Sequence, residues 1–178
     1  MLIEVLTRCY KRPGMLRVNQ ASLDAQTDDD WQQTLLVDDI GRGVHWANRT
    51  LGRYGSQLEG DYIWVLDDDD ECIRPTFFAE LRGIIEAHSP DVIFVKMDHK
   101  ERGILPDKGW GCEPIHSDIG CSAFVVKREI WQQFADKWDA SYAGDYGFIS
   151  AVFACGPKVI WHDVIASQVQ RISFGKPE

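Results

Sequence analysis

Apolar positions along the chain recur with two periods, and the periods alternate. Leu2 to Thr7 reads as a short strand, and Arg12-Pro13-Gly14 breaks it before a helix from Met15 to Gln26. Thr34-Leu35-Leu36-Val37 predicts a second strand, closed by Asp38-Asp39, and Val44 to Tyr54 a second helix. Tyr62 to Leu66 predicts a third strand. Pro75 is placed to open a helix in which Phe77, Leu81, Ile84, Ile85 and His88 recur at helical spacing. After Pro90, Asp91 to Met97 predicts a fourth strand.

Residues 98–117 break both periods. Gly103, Pro106, Gly109, Gly111 and Pro114, with Trp110 among them, predict a long irregular loop, a feature that is usually functional or disordered. Beyond it come a strand from Ile119 to Val126, a helix marked by Ile130, Trp131, Phe134 and Trp138, and a helix from about Asp145 to Ala154. Val159-Ile160-Trp161 predicts a last short strand before a polar tail. Three strand–helix alternations in the first half predict an α/β domain whose central sheet is mostly parallel and flanked by helices.

Composition narrows the class. A chain of 178 residues, 44% apolar and 26% charged, fits one globular domain. The net charge of −9 makes nucleic acid an unlikely partner, since phosphate backbones call for clustered Lys and Arg. Five widely spaced cysteines without a CxxC argue against a disulfide framework or a structural zinc site. Met1-Leu2-Ile3-Glu4 puts an acid where a signal core would lie, and no apolar run has the length of a membrane span. The expectation is a soluble, cytoplasmic protein.

The strongest chemical signal is Asp67-Asp68-Asp69-Asp70-Glu71, directly after the apolar Tyr62-Ile63-Trp64-Val65-Leu66. Clustered carboxylates repel, and open water or a bound divalent cation would offset the repulsion. Ligands of open α/β sheets bind beyond the carboxyl ends of the strands, which favours the cation. Residues i and i+2 of an extended segment share a direction, so Asp67 and Asp69 form one candidate pair for Mn²⁺ or Mg²⁺ and Asp68 and Asp70 the other.

Other strand ends add groups to the same edge. Asp38 or Asp39 could accept hydrogen bonds from a nucleobase or ribose, or simply serve a turn. Thr7, Arg8, Tyr10 and Arg12 could hold a base and its phosphates, or form an exposed basic turn. Asp145, at the start of its helix, is either an N-cap or a general base. His162 is a candidate metal ligand, although a lone histidine is more often structural. Trp110 could stack on a sugar ring of an acceptor. His116 and Asp118 are assigned no metal, and Gly41-Arg42-Gly43 is not a dinucleotide fingerprint.

Taken together, LTRCYKRPGMLRVNQASLDAQT, TLLVDD, GDYIWVLDDDD and CSAFVVKREIWQQF with GDYGFISAVFACG resemble the inverting, DXD-containing glycosyltransferases of family 2. The likeness runs over most of the chain, and its third-strand block is the most specific part. It implies a single-domain GT-A (Rossmann-like) fold over residues 1–178, with a nucleotide-sugar-binding half (1–97) and an acceptor half (98–178). It implies a Mn²⁺- or Mg²⁺-dependent hexosyl transfer from a nucleotide-sugar, UDP-linked by preference, to an unidentified hydroxyl acceptor (glycan, lipid, protein or small molecule). Asp38 or Asp39 would contact the base, Asp67 and Asp68 the nucleotide, Asp67 and Asp69 the metal with His162 as an added ligand, and Asp145 would be the base.

The departures are specific. Gly144 stands where the family usually has an acid, and Ala47-Asn48 stands where Arg-Asn is common. Gln168-Val169-Gln170-Arg171-Ile172 only hints at the motif of processive members. Rival readings are a sugar nucleotidyltransferase, a haloacid-dehalogenase-like phosphatase, and a nucleotide-sugar- or metal-binding protein that has lost catalysis.

Overall fold

The computed structural model describes residues 1–138, 142–170 and 176–177. In chain order the elements are β1 (Ile3–Cys9), α1 (Pro13–Asp24), β2 (Trp31–Val37), α2 (Val44–Tyr54), β3 (Tyr62–Val65), β4 (Asp70–Cys72), α3 (Phe77–His88) and β5 (Val92–Asp98). There follow β6 (Ile104–Leu105), β7 (Phe124–Lys127), α4 (Arg128–Gln133), α5 (Gly144–Ala154) and β8 (Val159–Val169). The strands form one sheet in the order β2-β1-β3-β7-β5-β8-β4, with β6 added to β5. β1, β2 and β3 are mutually parallel, β5 and β8 run the same way, and β4, β6 and β7 run against them. This mixed α/β sheet carries helices on both faces.

Strand alternation divides the core in two. Ile3, Val5, Trp64, Leu66, Ile93 and Val125 pack with Leu23 of α1 and with Phe77, Phe78, Leu81 and Ile85 of α3. Leu6, Ile63, Val65, Phe94, Phe124 and Val126 pack on the other face with Leu51 of α2, Trp131 of α4 and Phe148 and Val152 of α5. Among the described residues no helix is long and apolar enough to cross a membrane.

Several boundaries differ from the sequence-based expectation, for local reasons. β1 runs on to Cys9 because its parallel register with β2 holds as far as Val37. α3 begins at Phe77 rather than at Pro75, whose carbonyl accepts the Thr27 N–H. A 3₁₀ turn over Cys121–Ala123 precedes β7, so that strand starts later than Ile119. β4 arises inside the acidic run, and β8 continues for 11 residues where a short strand and polar tail were expected. Those two surprises share a cause, because they pair with each other from Asp70↔Val169 to Cys72↔Ser167. Polar residues in β8 have partners that periodicity cannot reveal. The Ser167 hydroxyl donates to Ser122 Oγ (2.9 Å), and Gln168 Nε2 donates to Glu71 (2.9 Å). Arg171 and Ile172 lie outside the described residues.

Residues 98–117 are ordered by a buried carboxylate. Asp118 accepts N–H bonds from Gly109 (2.7 Å) and Asp107 (3.2 Å), folding the loop back on itself. At the amino end of β1, Glu4 has an equivalent task. It is fully buried, and accepts from Thr34 Oγ1 (2.9 Å) and from the N–H groups of Glu59 and Gly60 (both 2.8 Å). Removing a buried acceptor strands its donors, so Glu4→Ala should lower stability by about 3 kcal/mol. Urea unfolding followed by tryptophan fluorescence checks this, with the slope unchanged and the midpoint reduced.

Candidate functional site

Parallel pairing brings the carboxyl ends of β1, β2 and β3 to one edge of the sheet, so Arg8, near the end of β1, lies beside Asp38 and Asp67, which follow β2 and β3. β7 runs the other way, which puts the turn before it, with Cys121, at the same edge. β4 pairs with the end of β8 and adds Asp70. Asp145 opens α5, which packs on the face shared by α2.

Arg8 is the centre. Its Nε and Nη2 donate to the two oxygens of Asp67 (2.7 and 2.5 Å), its Nη1 donates to Asn48 Oδ1 (2.5 Å), and Nη2 also lies 3.3 Å from Cys121 Sγ. Burial favours the neutral guanidinium, but Asp67 outweighs it and holds Arg8 charged. Arg12, just before α1, donates to Asp68 and to Asp69 Oδ2 (2.7 Å). Asp68 also accepts the Tyr10 N–H (3.0 Å).

The run is not the extended segment that the sequence suggested: the Asp70 N–H donates to the Asp67 carbonyl (2.9 Å) and closes a turn between β3 and β4, within which burial still alternates. Asp67 and Asp69 keep about a fifth of their side-chain surface open (20% and 19%), whereas Asp68 and Asp70 are buried (1% and 8%). Burial pushes Asp68 up to about 6 despite Arg12. Burial, with Asp67 and Asp69 nearby, raises Asp70 well above the carboxylate range. The backbone is clamped from both sides. Asn19 Nδ2 donates to the carbonyls of Asp67 (2.9 Å) and Asp70 (3.0 Å), and Gln170 Nε2 donates to those of Met15 (3.0 Å) and Asp70 (3.1 Å).

Asp145 reaches this cluster electrostatically. Burial raises its pKa, while the Tyr146 N–H and the Arg8 charge pull it down, and the net shift is upward. The His116 ring meets Tyr146 edge-on at 5.1 Å, so the end of the 98–117 loop borders the start of α5. Next to His116, Ser117 lines a cavity of about 430 Å³ with Arg102, Leu105 and Lys108.

Other sequence-predicted residues fall elsewhere or take different tasks. Thr7 is fully buried and accepts from Gln33 Nε2 (2.8 Å), so it faces the interior rather than a nucleotide. Asp38 is buried in its own turn, accepting N–H bonds from Ile40 (3.3 Å), Gly41 (2.9 Å) and Arg42. Burial opposes its charge, but those N–H donors prevail and hold it below the usual carboxylate range. Asp39, 74% exposed, is the open carboxylate of that pair. Tyr10 leans on the same turn: a Cβ at Gly41, where φ is +86°, would lie 2.4 Å from its hydroxyl. Trp110 packs edge-on against Trp161 (5.1 Å) beneath the Lys96 ammonium (4.5 Å).

His162 is not brought to the acidic run. It bonds Glu80 (2.8 Å) and lies seven positions before Val169 on β8, roughly 20 Å along the strand from Asp70. Nor do the carboxylates form a preassembled cation site. Both oxygens of Asp67 are held by Arg8, one of Asp69 is held by Arg12, and among the described residues no three His, Cys, Asp or Glu converge as ligands. The residues as arranged fit guanidinium groups, not a divalent ion.

Sequence reading gave no site role to Asn19, Asn48, Cys121 or Gln170. A signal existed for the two helical ones. Asn19 shares the inward stripe of Met15 and Leu23, and Asn48 shares that of Leu51. A polar residue on a buried stripe must have a partner.

No family model matches the sequence, and no curated protein sequence matches it. Solved structures do match the fold. TarS residues 1–349 from S. aureus superposes with a TM-score of 0.69 at 11% identity, over 95% of this chain and 60% of that one. The same protein in complex with UDP-GlcNAc gives 0.64 at 13% identity, over 94% of this chain and 58% of that one. HddC from Yersinia pseudotuberculosis, complexed with GMP-PN, gives 0.58 at 10% identity, over 99% of this chain and 95% of that one. At these identities the likeness is one of fold. The chain spans about 60% of TarS 1–349.

If Arg8 fills the cation position, Mn²⁺ alone should not bind the wild-type protein at concentrations up to about 1 mM. Arg8→Met should release Asp67 and create measurable Mn²⁺ affinity. Electron paramagnetic resonance of free Mn²⁺ reads both, and tight stoichiometric binding by wild type would count against the arginine-filled site.

Proposed function

We propose that this chain transfers a sugar from a nucleotide-sugar donor, UDP-linked by preference, to an acceptor hydroxyl with inversion at the anomeric carbon. One observation carries the reading. Arg8 joins the third-strand carboxylate Asp67 directly and also bonds Asn48, which packs against Gly144 beside Asp145, so the donor-side and acceptor-side groups meet around one arginine. The TarS complexes with UDP and UDP-GlcNAc support the choice of donor, since this chain shares their fold.

The chemistry follows from the groups present. As the glycosidic bond to the diphosphate breaks, negative charge grows on the leaving oxygen. Arg8 and Arg12 are the nearest fixed cations, and because their forks are engaged by Asp67, Asp68 and Asp69, a diphosphate would draw on their charge or take the place of a carboxylate. The Mn²⁺ or Mg²⁺ of the sequence-based expectation enters no step, because its carboxylates are held by these guanidinium groups. Asp39 and Tyr10 flank the turn after β2 and would receive the base and ribose.

On the opposite side Asp145 takes the acceptor proton. Burial makes it a stronger base than an exposed aspartate, which suits a hydroxyl that loses its proton late. Inversion requires this base on the face away from the leaving group, as in two-carboxylate glycosidases. The acceptor would approach over the 98–117 loop, between His116 and the cavity beside Ser117.

UDP titration by calorimetry and hydrolysis of UDP-GlcNAc separate this reading from a binding protein without catalysis. Asp145→Asn should hold UDP affinity within about threefold and lose at least about 100-fold in turnover. If UDP affinity collapses as well, Asp145 is a structural residue. The pH profile gives a second check. The base works ionised and its folded pKa is raised, so activity should fall as pH drops through a midpoint above the ordinary aspartate value of about 3.9. A midpoint at or below that value would remove Asp145 from the role.

A further inference from the structure

We propose that Asn48 is a positioning residue that ties the donor-side cation Arg8 to the backbone carrying Asp145, and that Gly144 is glycine because Asn48 occupies its side-chain space. This role rests on the glycosyltransferase reading above and deepens it.

Asn48 lies on α2, is 2% exposed, and touches both halves of the site. Its Oδ1 accepts from Arg8 Nη1 at 2.5 Å. On the other side, a Cβ added at Gly144 would lie 2.6 Å from Asn48 Nδ2, 2.8 Å from its Cγ and 3.1 Å from its Cβ. Gly144 is the first residue of α5, it is buried, and Asp145 follows it.

A side-chain end can often swing away from a new methyl group, but this one is constrained. Burial leaves the amide little room, and rotating it would pull Oδ1 from Arg8. Nη2 of the same guanidinium is bonded to Asp67 and lies beside Cys121 Sγ. Displacement at residue 144 is thereby transmitted through Asn48 to the group that neutralises Asp67. The same contact sets how closely the start of α5 approaches α2.

The close approach of Asn48 accounts for the glycine at position 144. Gly144 is thus a packing requirement of this site. An acid placed at position 144 should damage the site.

The test uses UDP-GlcNAc hydrolysis, UDP calorimetry and thermal unfolding on the full chain. Asn48→Ala should lower kcat by about 10- to 100-fold while KM and the UDP Kd stay within about threefold, since positioning acts on the reacting geometry. Gly144→Asp should lose turnover rather than gain it. Gly144→Ala should lower Tm in the wild-type background and leave it nearly unchanged in Asn48→Ala, because neighbours in contact are not additive. Unchanged kcat in Asn48→Ala, raised turnover in Gly144→Asp, or equal Tm losses in both backgrounds would each overturn the role. Wild-type protein that neither binds UDP nor hydrolyses UDP-GlcNAc overturns the glycosyltransferase reading and this role together. Wild-type turnover that Asn48→Ala preserves overturns this role alone.

Discussion

Mutual repulsion among the carboxylates after β3 is the constraint around which this structure is built. Arg8 meets it with a two-pronged ion pair to Asp67, and Arg12 spans Asp68 and Asp69. Such pairs are strong only where both prongs are satisfied and the partners are held in place. Here they are held by elements from across the fold. Asn48 anchors Arg8 from α2, Cys121 borders it from the turn before β7, and Asn19 and Gln170 clamp the carbonyls of the run. The charge cluster is therefore a junction between α1, α2, β1, β3, β4 and β8 as well as a candidate site.

Alternation along the run sorts its members. Asp68 and Asp70 face inward, where burial raises both, and Asp67 and Asp69 face the open edge. Neutralisation by fixed guanidinium groups differs physically from neutralisation by a metal. A guanidinium belongs to the chain, costs nothing to recruit and directs its hydrogen bonds in a plane. This neutralisation makes Arg8 common to both sides of the proposed reaction, since its charge acts on Asp67 and Asp145 alike.

Fold-level likeness at 10–13% identity shows how little of such a sequence the architecture requires. The sheet order and the two faces of the core depend on pattern, which many residues can satisfy. The cluster at the strand ends depends on particular side chains. Asn48 and Gly144 are an interlocked pair, and Arg8 occupies the interior of the site.

Periodicity alone determined most of the secondary structure, including α2 from Val44 to Tyr54 and the parallel β1, β2 and β3. It did so because burial on one or both faces of an element leaves a local signature. The same logic marked the edge of the sheet and made Asp67–Asp70 its focus. Tertiary structure decided the rest. β4 and the long β8 exist because they pair with each other, and polar residues in them are satisfied by partners distant in sequence. The repulsion in the run was legible, but its remedy was not, because Arg8 lies 59 positions from Asp67 and only parallel pairing of β1 with β3 makes them neighbours. His162 is the converse, a residue of suitable chemistry on the strand that pairs with Asp70, yet at its far end. Residue type and local pattern are properties of the sequence. Which charges meet is a property of strand order and register.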